Sequence, residues 1–185
     1  MGKQATKGFS LVEVLVSLCV LSLGVIGAAS MQLSALRTTR QAGFHNIALQ
    51  LATDIADQVR ASPASSFGAT GNALLTLDFK SSEQAPAAPA PCWDAASGCD
   101  SAGMAAFASY EVQSRLKNML PQGRIKVCRD AAPWDDQAQA YRWDCDSASS
   151  LAPIVVKLGW RDPGENTPGN AKPASQPQFV LLVQS

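Results

Sequence analysis

Apolar positions fall into two regimes along the chain. From Val14 to Leu36 no charged residue occurs, a run of 23 residues. At 1.5 Å per residue that run makes a helix of about 34 Å, longer than the roughly 30 Å hydrocarbon core of a bilayer. Beyond it, Leu33, Leu36, Phe44, Ile47, Leu51, Ile55 and Val59 recur mostly at spacings of three and four, with Ala48, Ala52 and Ala56 beside them. Arg37, Arg40, Gln41, Asn46, Asp54 and Arg60 mark the opposite, polar side. That is an amphipathic helical stripe, the face expected to pack on the rest of the chain. Ser62 precedes Pro63, and a residue before proline is disfavoured in helix. The pattern predicts one helix from about Ser10 to Ala61.

All eleven prolines lie after Ser62, and the pattern changes with them. Leu74 to Phe79 reads as a short strand, and Ser81 to Pro91, with three prolines, as an extended link. Met104 to Leu120 has helical spacing and runs into the turn Pro121-Gln122-Gly123. Arg124 to Cys128 alternates like a strand with one wet face, and Tyr141 to Cys145 is its expected partner. Ile154 to Trp160 is the strongest strand and Gln178 to Val183 the last. Between them, residues 161–177 hold four prolines and two glycines and read as an exposed loop. The predicted class is α+β: a long N-terminal helix packed on a C-terminal antiparallel sheet.

Charge narrows the function. The chain has 15 basic and 15 acidic residues and no basic run, which disfavours nucleic acid as a partner. Apolar content of 46% excludes overall disorder. One histidine, His45, and dispersed acids leave little for acid–base or metal chemistry, and no nucleophile-elbow, P-loop or dinucleotide signature occurs. No catalytic residue, metal or cofactor is expected, Asp135-Asp136 being a weak calcium alternative. Trp93 and Trp134 lie in loops and are candidates for surface contacts.

Cys19 sits in the apolar run, where a thiol acts as a small apolar residue. Cys92, Cys99, Cys128 and Cys145 form an even set in a domain expected to be translocated, which favours disulfides. Three pairings are possible. Proximity favours Cys92–Cys99 and Cys128–Cys145. A zinc site is the runner-up, though the spacings do not match the usual C-x₂₋₄-C pairs.

At the other end, residues 1–8 carry Lys3 and Lys7 and no acid, so the positive-inside rule keeps that end in the cytoplasm. Arg37 and Arg40 weaken the asymmetry. The apolar run is too long for an ordinary cleaved signal peptide, the alternative being cleavage near the small residues Ala28-Ala29-Ser30. Glu13 is anomalous, a carboxylate at the edge of that run, where charged residues usually have a partner.

Gly8-Phe9-Ser10-Leu11-Val12-Glu13, followed by Val14-Leu15-Val16-Ser17-Leu18, resembles the class III signal of type IV pilins and pseudopilins. The resemblance implies that a prepilin peptidase removes leader 1–8 between Gly8 and Phe9, that the Phe9 amine is then N-methylated, and that Glu13 faces the N-terminal amine of a neighbouring subunit in a filament. It implies four segments. These are the leader, the transmembrane and filament-core half of the helix (9–36), its amphipathic half (37–61) and a periplasmic α+β domain (62–185). Within the superfamily the chain looks like the PilV family of type IV pilus minor pilins. The carrying residues are Glu13 to Leu18 with Leu21 to Gly27, Cys92 and Cys99 followed by a helix and Leu120-Pro121-Gln122-Gly123, and, loosely, Val155 to Trp160. The pair Cys128 and Cys145 departs from that pattern. The implied role is structural: a single-pass inner-membrane subunit, then a filament subunit with other minor pilins and the major pilin. It would prime assembly or cap the tip, supporting twitching motility and adhesion. The alternatives are a minor pseudopilin of type II secretion and a DNA-uptake pilin.

Overall fold

The computed structural model describes residues 8, 10–61, 73–84, 86–93, 98–147, 151–161 and 176–183. Two compact units divide at Ala42 and Gly43. Helix α1 (Leu11–Ala61) runs unbroken for 51 residues. In the first unit its side chains from Leu11 to Ala42 are all exposed. Among the described residues this is the one helix long and apolar enough to cross a membrane. Most of the loop expected over 161–177 lies outside the described residues, as do Ser62 and Pro63.

In the second unit, α1 buries Ala48, Leu51, Ala52, Ile55, Ala56 and Val59. The alternating steps of three and one keep these six on a single stripe, and alanine at every fourth position leaves a low ridge that permits close approach. The stripe meets one face of a four-stranded antiparallel sheet. Its strands are β1 (Asp78–Lys80), β2 (Arg124–Arg129), β5 (Ile154–Gly159) and β6 (Phe179–Val183), in the order β1-β2-β5-β6. Register pairs Phe79 with Ile125, Val127 with Val156 and Leu158 with Phe179. These residues share a core with the α1 stripe and with Val112, Leu116 and Leu120 from the α2 region. A two-stranded hairpin, β3 (Trp134–Asp135) with β4 (Ala140–Tyr141), stands apart from that sheet.

Helix α2 (Ser101–Met119) begins three residues before the apolar periodicity suggests. Asp100 explains the difference: its carboxylate accepts the Gly103 N–H at 2.7 Å, satisfying an otherwise orphaned donor of the first turn. Arg115 ties α2 to α1, reaching Asp54 at 2.9 Å as well as Glu111 at 2.8 Å on its own helix.

Two strand expectations need correction. Leu74 to Leu77 form a turn and its exit rather than a strand, and pairing starts only at Asp78. The apolar content there reflects anchoring, since Leu74 and Leu77 are buried without joining the ladder. Tyr141 to Cys145 does not pair with β2. Tyr141 faces Trp134 in the hairpin, while β1 and β5 flank β2 on both sides. The long ladder of β2 is taken by β5 along all six residues, and β1 pairs with Arg124 to Lys126 on the other side.

After α2 the chain turns through Pro121 and Gln122, where Gln122 takes a positive φ of 49°. Gly123 then passes so close to the helix end that an added Cβ would lie 3.0 Å from Leu120 Cβ and 3.2 Å from Leu116 Cδ1. Gly123→Ala is expected to destabilise the domain by about 1–3 kcal/mol, the range for overpacking a filled core. Urea denaturation followed by tryptophan fluorescence would measure it.

Candidate processing and assembly site

Ser10 starts α1. Its carbonyl accepts the N–H groups of Glu13 at 3.0 Å and Val14 at 3.3 Å. Ser10-Leu11-Val12-Glu13 has the residue types of a capping box, so the string that reads as a processing signal also encodes a helix start. Gly8 is exposed and precedes the helix, while Phe9 lies outside the described residues. Glu13 occupies the first turn, where the helix dipole favours an anion. It is exposed, and no ion pair joins it to a cation among the described residues.

The cysteines outside the apolar run are joined as Cys92–Cys99, with Cα atoms 5.9 Å apart, and Cys128–Cys145, at 6.4 Å. Cys19 is a free thiol. The first bridge closes a loop that presents Trp93, 73% exposed, edge-on to Phe107 with ring centroids 4.7 Å apart. The second fastens residues 128–145 across the face of the sheet away from α1.

That face holds a group the sequence does not single out. Lys157, central in β5, is fully buried. Its Nζ donates to the carbonyls of Arg142 at 2.8 Å and Asp144 at 2.6 Å and pairs with Asp130 Oδ2 at 2.5 Å. Asp130 is buried too, and its Oδ1 accepts the N–H groups of Ala132 and Asp146. Two carbonyls take hydrogen bonds from the ammonium and the Asp130 carboxylate balances its charge. Burial alone would raise the Asp130 carboxyl, but Lys157 and the two backbone N–H groups outweigh it and hold it below the usual carboxylate range. Nearby, Arg124 grips Asp78 with two bonds of 3.0 and 2.9 Å and lies 4.4 Å over the Trp143 ring. Partial burial pushes Asp78 up, and Arg124 with Lys126 brings it net down. The disulfide, the lysine and the arginine–tryptophan stack together clamp the lobe onto the sheet.

Both aspartates have lower values folded than unfolded, so as pH falls the unfolded chain takes up protons first. Stability is expected to hold between about pH 5 and 8 and to fall below about pH 4. Denaturation midpoints measured from pH 7 to 3 check this, and an unchanged midpoint would contradict it.

Asp135 accepts the N–H groups of Gln137 and Ala138, which caps the hairpin turn. Among the described residues no three His, Cys, Asp or Glu side chains gather as metal ligands. The ring of His45 lies 5.5 Å from Phe179 and 6.1 Å from Trp160, and Trp134 packs edge-on against Tyr141 at 5.0 Å.

Residues 3–29 match the family model of the prokaryotic N-terminal methylation motif. No curated protein and no solved structure matches the chain. The chain thus carries the N-terminal methylation motif of the type IV pilin and pseudopilin superfamily, at the head of a pilin-like arrangement of a long apolar helix and an antiparallel sheet. The motif implies processing by a prepilin peptidase. With the apolar helix, it points to an inner-membrane precursor that later enters a pilus.

Proposed function

We propose that this chain is a minor pilin of the type IV pilus, similar to the PilV family, which helps to prime assembly or cap the tip. The observation that carries the reading is the register of Gly8, Phe9 and Glu13 immediately ahead of one continuous helix, Leu11–Ala61. Peptidase cleavage between Gly8 and Phe9 frees an amine that is then methylated. Glu13, in the first turn and without an ion-pair partner among the described residues, receives the amine of a neighbouring subunit. Lys3 and Lys7 hold the N-terminus in the cytoplasm, and the bridges Cys92–Cys99 and Cys128–Cys145 suit an oxidising periplasm for residues 62–185. Support for the finer family placement comes from the Cys92–Cys99 loop followed by α2 and the Pro121-Gln122-Gly123 turn. Its partners are the peptidase, the other minor pilins, the major pilin and the inner membrane.

Deletion tests the assignment. Loss of surface filaments and twitching with normal exoprotein secretion is expected. Lost secretion with intact pili would assign the chain to type II secretion, and lost transformation alone to DNA uptake.

A further inference from the structure

We propose that Arg37 and Arg40 form a binding site for anionic phospholipid headgroups at the far end of the apolar segment. The inference rests on that segment crossing a bilayer. The two arginines are the first charges after 23 uncharged residues, about 34 Å of helix, which brings them out in the headgroup layer. Spaced by three, they lie on neighbouring turns of one helix face. Both are exposed, and no ion pair engages either of them among the described residues. The nearest acids in the chain are Glu13 and Asp54. Glu13 lies at the opposite end of the apolar run, and Asp54 pairs with Arg115 at 2.9 Å. The hydroxyls of the intervening Thr38 and Thr39 donate to the carbonyls of Ser34 and Ala35 on their own helix.

Charge complementarity identifies the occupant. At this depth the abundant anions are lipid phosphates, and a guanidinium fork matches a phosphate with two parallel hydrogen bonds. A zwitterionic headgroup carries its own ammonium beside the phosphate, whereas phosphatidylglycerol carries a net negative charge. Two guanidiniums without a counter-ion among the described residues therefore select the anionic lipid. The location adds a second argument. Positive residues at the end predicted to be translocated work against the charge asymmetry that orients the span. A lipid-binding role accounts for a pair that topology alone disfavours. The clamp also holds the subunit at a fixed depth until it is extracted into a filament.

The test uses the full-length chain reconstituted in nanodiscs of phosphatidylethanolamine with one-fifth phosphatidylglycerol, with retained lipids counted by native mass spectrometry. Wild type is expected to retain phosphatidylglycerol over phosphatidylethanolamine by roughly 30-fold, from about one factor of five for each arginine near the surface. Arg37→Gln/Arg40→Gln should lose most of that preference, and Lys3→Gln/Lys7→Gln should keep at least half of it. Two intact disulfides by non-reducing mass would show that each variant is folded. Equal preference in wild type and the arginine variant, or loss confined to the lysine variant, overturns the clamp. Alkaline carbonate extraction is the parallel arm: release of wild type from vesicles overturns the spanning reading and the clamp with it. Integration with unchanged lipid preference overturns the clamp alone.

Discussion

Glu13→Ala is expected to be cleaved and methylated normally yet to enter filaments at less than about one-hundredth of the wild-type level. The carboxylate sits in the first turn of α1 and has no cation of its own chain beside it among the described residues. In the bilayer it can rest at headgroup depth near the positive helix end, at modest cost. On the proposed reading it is desolvated in a packed filament of apolar helices, where a neighbour's amine compensates it. Removing one partner of such a pair leaves the other charge buried, at a cost of about 3–5 kcal/mol, which is roughly two to four factors of ten in incorporation. Immunoblots of sheared filaments against whole cells would measure the ratio, and near-normal incorporation would rule out the pairing. Glu13→Gln separates charge from shape, because it keeps the side chain's reach and removes the ion pair.

Lys157→Met should be the most damaging single change in the globular unit. It leaves Asp130 ionised and fully buried, and strips the carbonyls of Arg142 and Asp144 of their shared donor. A loss of about 3–5 kcal/mol follows from the orphaned charge. Adding Asp130→Asn should recover about 1–3 kcal/mol, since an amide oxygen can still accept the Ala132 and Asp146 N–H groups while carrying no charge. Urea titration of the detergent-solubilised chain with both disulfides intact provides the comparison. A single-variant cost below about 1 kcal/mol, or a double variant no better than the single, would show that the lobe is not clamped through this lysine.

Much of the fold is legible in the chain, for reasons that also explain where legibility stops. The α1 stripe is a local periodicity, and Ala48 to Val59 declare their buried face without reference to anything distant. The motif Gly8-Phe9 with Glu13 is legible for a different reason: it is short, contiguous and read by an enzyme as sequence. The sheet partners are a non-local matter. Arg124 to Cys128 and Ile154 to Trp160 each read as strands, but their adjacency depends on a chain that leaves for the hairpin and returns. Tyr141 to Cys145 has strand-like composition because it covers the sheet, not because it joins it. Lys157 is the clearest failure. A lysine in a strand ordinarily marks the wet face, and only the lobe folded over β5 turns that face inward. Asp100 shows the reverse situation, a polar residue just ahead of the periodic positions that extends α2 beyond its apolar pattern.

The two parts of the molecule divide the work accordingly. The exposed apolar half of α1 is stable only when something covers it, either lipid or other copies of the same helix. The globular unit is closed by its own core, two bridges and a buried ion pair, and it presents Trp93 and Trp134 to its surroundings. On the proposed reading, removal of the leader connects the two stages, because it would replace a lysine-bearing tail with a single amine four residues before Glu13.

The most direct test is the mass and N-terminal sequence of the mature protein purified from the cell envelope. The account requires a first residue of N-methylated Phe9 with residues 1–8 absent. An intact Met1 terminus, or a mature chain beginning near Ala28-Ala29-Ser30 as after an ordinary signal peptide, would contradict it.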